Sequence, residues 1–224
     1  MIEYQLDSRN ALSTMQKLTD KEIRRALLVH LERRANPPRA TLEEVHVCNG
    51  NAIADVVAVY KTMHCYEIKG ETDSINRVVR QSQFYDQAFP LISLVTTANH
   101  LKRAELIVPK HWGIMLAEPT YSDSVILKYV RGTTRNPFYL PEVALLSLWR
   151  SELIKLPNSS NAVLEKMNRQ KIAALIASNI PTSTINEIVG ETLAARNSGN
   201  ITLDSPLPYT QYEHRSLVSE SSKG

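Results

Sequence analysis

Ile23, Ala26, Leu27 and Leu31 recur at helical spacing behind Thr19-Asp20-Lys21-Glu22, which has the form of a capping box. The spacing predicts a helix that Asn36-Pro37-Pro38 stops. The period then changes to two. Over residues 44–48, Val45 and Val47 fall on one side, and Glu44, His46 and Cys48 on the other. Asn49-Gly50-Asn51 is a turn signal, and residues 53–60 and 64–69 read as two more strands joined at Lys61-Thr62.

Gly70 breaks the third strand, and Asp73 is placed to cap a helix over 73–89 that Pro90 ends. Residues 91–97 are almost purely apolar, the pattern of a strand buried on both faces. A short helix falls within 100–106, and strands at 112–118 and 124–131 follow. Pro141 suits the first turn of a helix over 141–156, whose Leu145, Leu146, Trp149 and Leu153 form a core stripe. Two further helices are expected at 161–178 and 182–196. The serines and prolines from Gly199 onward read as a mobile tail. This order predicts an α/β (α+β) fold with a small mixed sheet flanked by helices and a helical C-terminal extension. The expected divisions are a core over 1–132, a helical region packed on it over 133–198, and the tail over 199–224.

Composition narrows this only a little. The 224 residues carry a net charge of +3 and a sequence pI of about 8.8, so a nucleic-acid site would need a local basic patch rather than a global field. The start MIEYQLDSRN has no apolar signal region and no run reaches membrane-spanning length. Two cysteines, Cys48 and Cys65, make no disulfide framework. A cytoplasmic protein without membrane contact is the expectation.

Three residues carry candidate chemistry: Asp55 in the second strand, and Glu67 and Lys69 two apart in the third. A two-residue spacing puts Glu67 and Lys69 on one face of their strand. Asp55 joins them only in the right register. Pairing Tyr60 with His64 sets Asp55 opposite Lys69, and pairing Val59 with Met63 sets it opposite Glu67. A two-residue turn pairing Tyr60 with Met63 turns it to the other face, so a functional site requires a loop of odd length or a bulge. Two carboxylates suit a Mg²⁺ site for phosphodiester hydrolysis: Asp55 and Glu67 as ligands, the Ile68 carbonyl completing the set, and Lys69 beside the attacking water. The same spacing also fits a surface ion pair on a hairpin.

Other residues divide between chemistry and packing. Glu44 reads equally as a second acid or as a solvated strand edge. His46, Cys48, His64 and Cys65 invite zinc, but His64 and Cys65 are adjacent and point to opposite faces. Arg77, Arg80 and Gln81 lie at helical spacing and suit either phosphate contact or a solvated face. Tyr85 reads as packed. Lys102 and Arg103 are candidate backbone contacts, as are Lys110, His111, Lys128, Arg131 and Arg135. Trp112 and Trp149 read as core anchors rather than base-stacking platforms.

With these residues in view, the segments EVHVCNGNAIAD (44–55), YEIK (66–69) and DSINRVVRQSQFY (73–85), with HWG (111–113), RNP (135–137) and LWRSEL (148–153), resemble a bacterial and phage branch of the PD-(D/E)XK nuclease superfamily. The resemblance implies a restriction-endonuclease-like core and Mg²⁺-dependent cleavage of nucleic acid; the expectation taken from it is a nuclease acting on DNA, as an endonuclease rather than an exonuclease, with Mn²⁺ able to replace Mg²⁺. It marks Asp55, Glu67 and Lys69 as catalytic with Gln81 as a helper. Asp55, Glu67, Ile68 and Glu44 become the metal set, and beside it the basic residues Arg77, Arg80, Lys102 and Arg103 are the expected nucleic-acid contacts. A homodimer or a partner protein is compatible with it. One departure weakens it: the family pattern has an arginine two residues before the aspartate, and Ile53 stands there. The competing readings are a non-catalytic nucleic-acid-binding or regulatory module on a nuclease-like scaffold, and an interaction subunit of a defence or toxin system.

Overall fold

The computed structural model describes residues 17–120, 124–156 and 164–198, so the expected tail over 199–224 lies outside the described residues. The fold is α+β, built on a six-stranded mixed sheet with sequential order β1 to β6. The strands are β1 (Ala40–Val47), β2 (Ala52–Val59), β3 (Met63–Lys69), β4 (Leu91–Thr96), β5 (Gly113–Pro119) and β6 (Val125–Arg131). The first three form an antiparallel meander, β4 and β5 add in parallel, and β6 closes the far edge antiparallel. Parallel pairing requires crossovers, and α2 (Arg77–Ala88) and α3 (Ala98–Ile107) supply them.

The two faces bury different partners. One takes α1 (Asp20–Glu32), whose capping box forms as expected between Thr19 and Glu22 and whose Ile23, Leu27 and Leu31 are fully buried. Each such side chain contributes about 1.5–3 kcal/mol by leaving water. They pack on Val56, Ala58, Tyr66, Ile68 and Val95. The opposite face takes α2, α3 and the C-terminal helices α4 (Pro141–Leu145), α5 (Arg150–Lys155), α6 (Arg169–Asn179) and α7 (Thr182–Asn197). Leu145, Leu153, Ile172, Ile176, Ile185 and Val189 share a single cluster with Val57, Cys65, Ile92 and Leu94 of the sheet.

Three expectations are corrected. The helix expected over 141–156 is two helices, because Trp149 is extended (φ −68°, ψ 155°) and its N–H is capped by Glu152 Oε2 at 2.6 Å. Arg196 of α7 holds that glutamate, so the break comes from a residue 44 positions away. Of the helix expected over 161–178, residues 161–163 lie outside the described residues, and the rest is a 3-10 turn at Leu164–Lys166 followed by α6, which Asn168 caps through Lys171 N–H at 2.9 Å. Asp73 caps no helix. Its Oδ2 accepts from Gly70 N–H at 2.8 Å within a turn, and α2 starts four residues later.

Candidate active site

The site forms where the sheet splits. β2 pairs with β3 only from Val59↔Met63 to Val56↔Tyr66. Beyond that point β2 continues on β1 alone, and β3 continues on β4 through Glu67↔Leu94 and Lys69↔Thr96. The three-residue connection Tyr60-Lys61-Thr62 realises the odd-length loop, in the register that sets Asp55 toward Glu67. Instead of a ladder bond across the gap, Asp55 Oδ2 accepts from Ile68 N–H at 2.7 Å.

A coordinated slip in β1 and β2 marks the same place. Ala40, Leu42, Val45 and Val47 pack against one cluster, which Ala52, Ala54, Val57 and Val59 help to form. The period of two is thus broken once in each strand. Glu44 and Asp55 are the skipped residues, bracketed by the pairs Glu43↔Val56 and Val45↔Ala54. Glu44 has φ 55°, a left-handed backbone that costs a non-glycine residue about 1 kcal/mol.

Glu67 and Lys69 share the face toward α2, as their spacing predicts. Both are buried, Glu67 at 1% exposure and Lys69 at 7%, and Lys69 Nζ donates to Glu67 Oε1. The surface-ion-pair alternative therefore does not describe them. Nζ also donates to the Ile68 carbonyl at 3.2 Å. The other Glu67 oxygen lies 2.7 Å from Tyr85 Oη, which is also 2.6 Å from the Ile53 carbonyl. The single phenolic proton can serve one of these acceptors at a time. Burial first, and then the charge of Glu67, raise the Tyr85 pKa, so the phenol stays protonated as a donor. Gln81 Nε2 donates to Tyr85 Oη at 3.3 Å, while Gln81 Oε1 is buried without a partner.

Burial also pushes the Asp55 carboxyl up to about 7, and the neighbouring charge of Glu67 adds to the rise. The Ile68 N–H, Lys69 and Arg24 pull the other way without cancelling it. Arg24 on α1 meets four carboxylates: Asp55 at 3.3 Å, Glu44 at 3.4 Å, Glu43 at 3.6 Å and Asp20 at 4.0 Å.

The expected site residues thus separate. Asp55, Glu67 and Lys69 come together, and the Ile68 carbonyl and Gln81 lie beside them. Glu44 reaches the guanidinium of Arg24 with its side chain 72% exposed, and it does not join Asp55 and Glu67 as a third ligand. No group of three His, Cys, Asp or Glu side chains among the described residues is arranged to hold a metal ion. Arg77, Arg80, Lys102 and Arg103 are exposed on α2 and α3, the helices that follow the parallel strands; Arg103 Nε donates to Asn76 at 3.2 Å. Sequence reasoning missed Arg24, which no local pattern singles out. It also gave Tyr85 a packing role alone, although Gln81 interrupts the apolar stripe of Val78 and Tyr85, a signal for a polar contact on that face.

The donor set suits a hard cation. Two carboxylates whose charges oppose each other lie beside a backbone carbonyl, and all these donors are oxygens. Each carboxylate oxygen lies within hydrogen-bond reach of one protein donor and keeps a second lone-pair direction. The orphaned Gln81 Oε1 is one more acceptor in need of a partner.

Several of the remaining matched segments serve packing. Trp112 is fully buried with Nε1 donating to Asp86 at 2.7 Å, and His111 meets the same oxygen at 2.8 Å. Asn136 Nδ2 donates to the carbonyls of Asp86 and Phe89. A Cβ at Gly113 would meet Thr133 Oγ1 at 2.2 Å.

The sequence pattern of the bacteriophage P4 protein cII family matches residues 13–203. The chain belongs to that family. No curated protein matches it. Among solved structures, it is similar to a protein of unknown function from Silicibacter pomeroyi at 14% identity and a TM-score of 0.42, over 54% of this chain and 75% of that one. A likeness that distant carries no argument about function. No described helix is long and apolar enough to cross a membrane.

Proposed function

We propose that this protein is a metal-dependent nuclease that hydrolyses phosphodiester bonds in DNA, with Asp55, Glu67 and Lys69 at its centre. The observation that carries the reading is the buried Glu67–Lys69 pair placed beside Asp55 at the split in the sheet. A buried ion pair is weak support for stability and is often replaceable by apolar residues without loss, so its presence here points to chemistry. The order of α1, a hairpin carrying the acids, α2 and the buried strand β4 supports a restriction-endonuclease-like core.

In this reading Asp55, Glu67 and the Ile68 carbonyl would hold Mg²⁺, or Mn²⁺ in its place, which when bound would supply Lewis-acid stabilisation of the phosphate. Lys69 orients the attacking water and offsets the charge that develops on the phosphate. Tyr85, steadied by Gln81, fixes the rotamer of Glu67. Arg77 and Arg80 on α2 and Lys102 and Arg103 on α3 contact the nucleic-acid backbone.

A second reading rests on a specific observation. All four carboxylate oxygens of Asp55 and Glu67 already lie within reach of protein donors, Arg24 among them, which suits a non-catalytic nucleic-acid-binding module equally well. The test is incubation with plasmid, linear and single-stranded DNA and structured RNA, under Mg²⁺, Mn²⁺ or EDTA, beside Lys69→Ala. Metal-dependent cleavage that disappears in the variant supports the nuclease. Absence of cleavage sinks it and favours the binding module, and equal cleavage by the variant sinks the catalytic assignment of Lys69.

A further inference from the structure

A second feature lies along β1, at the edge of the sheet. A cleft of about 850 Å³ opens between the edge of β1 and the C-terminal helices. That volume is in the range of small-molecule sites. One wall is Glu43, Glu44 and His46, and the other carries Trp149, Arg169 and Arg196. The position of Trp149 departs from the expectation of a core anchor, because it is 49% exposed.

Trp149 is exposed but fixed. Arg196 stacks on its ring with the guanidinium carbon 4.1 Å from the centroid. Glu152, itself 3% exposed, binds Arg196 and accepts from the Trp149 N–H, so backbone and ring are clamped together. A rigid aromatic surface facing a cleft loses little entropy when a flat ring stacks on it. The charge of Arg196 is answered by Glu152, and those of Glu43 and Glu44 by Arg24.

Arg169 is different. Its Nη2 is anchored to the Leu146 carbonyl at 2.6 Å and Asn49 Oδ1 at 2.9 Å, and its Nε is buried with no partner. No carboxylate among the described residues pairs with it. The Nε is shut away from solvent, but the guanidinium lines the cleft, where an anionic oxygen would answer its charge.

From the stacked ring, the unanswered cation and the exposed acids opposite, we infer that this cleft binds one unpaired nucleotide of a single-stranded nucleic acid. The base stacks on Trp149, its exocyclic amino group faces the β1 carboxylates, and a backbone phosphate meets Arg169. The cleft is coupled to the split site, because Glu44 lines it and contacts Arg24, which contacts Asp55. The inference rests on the proposed function only for the substrate class.

The test uses the full chain in EDTA, in both wild-type and Lys69→Ala backgrounds, with a fluorescein-labelled mixed-sequence 12-mer followed by anisotropy. Trp112 and Trp149 are the two tryptophans, and Trp112 is fully buried, so an unlabelled 12-mer should quench the emission of Trp149. Trp149→Ala should weaken binding about tenfold to a hundredfold, and Trp149→Phe should restore most of it while abolishing the quench. Arg169→Gln should weaken binding and lower the slope of log K against log salt by about 0.7. Unchanged affinity in a folded Trp149→Ala protein, quenching that survives in Trp149→Phe, or an unaltered salt slope in Arg169→Gln would each overturn the inference. The two proposals fail separately. Cleavage with Trp149-independent binding sinks the cleft alone, whereas Trp149-dependent binding without cleavage sinks the nuclease alone.

Discussion

Lys69→Met is the perturbation most directly tied to the geometry of the split. The change removes an ammonium whose side chain is 9% exposed and leaves the Glu67 carboxylate, with a side chain 1% exposed, facing a thioether. Deleting one partner of a buried pair costs about 3–5 kcal/mol, because the remaining charge keeps its desolvation penalty without the attraction that offset it. Tyr85 still donates to Glu67 and softens the loss, so about 3 kcal/mol is expected. That is a large share of a typical stability of about 5–15 kcal/mol. Glu67→Gln/Lys69→Met removes both charges and keeps an oxygen to accept from Tyr85. It should recover to within about 1 kcal/mol of the wild type while remaining inactive. Urea unfolding followed by circular dichroism at neutral pH in EDTA measures both variants, with m-values compared to check that the denatured state is unchanged. A loss under about 1 kcal/mol in Lys69→Met would show that the pair is not buried in solution. A double variant less stable than the single one would show that the pair stabilises the fold and is no sign of function.

Three further outcomes are expected. The Asp55 carboxyl titrates near 7 in the folded protein against an ordinary value of 3.8, so the folded state binds more protons in that window. Stability in EDTA should therefore fall as pH rises from about 4 to about 7, by on the order of 3 kcal/mol, and Asp55→Asn should flatten the slope; a parallel profile in the variant would refute the assignment. Tyr85→Phe leaves Glu67 Oε2 and the Ile53 carbonyl without their donor and should cost about 1–3 kcal/mol by the same unfolding assay, along with metal-dependent cleavage. A Cβ at Gly70 would lie 2.8 Å from the backbone at both Asp20 and Leu18, so Gly70→Ala should cost about 1–3 kcal/mol, and an unchanged melting temperature would contradict that contact.

Periodic burial was legible along the chain. The capping box at Thr19, the alternation that puts Val45 and Val47 on one side of β1 and the apolar run that became β4 are local patterns, and local sterics and burial read them the same way in any context. The shared face of Glu67 and Lys69 follows from strand geometry alone, and the need for an odd-length hairpin loop follows from that. What the tertiary structure decided lies across the chain. The choice among allowed registers, the slip at Glu44 and Asp55, and the arrival of Arg24 depend on how α1 and the meander pack, over separations of 20 and 31 residues. Arg196 breaks the helix expected over 141–156 and turns Trp149 from a core position to a cleft wall. Sequence spacing can place two groups on one strand or helix face. Whether a third group meets them depends on packing between elements, where contacts distant in sequence outweigh local preference.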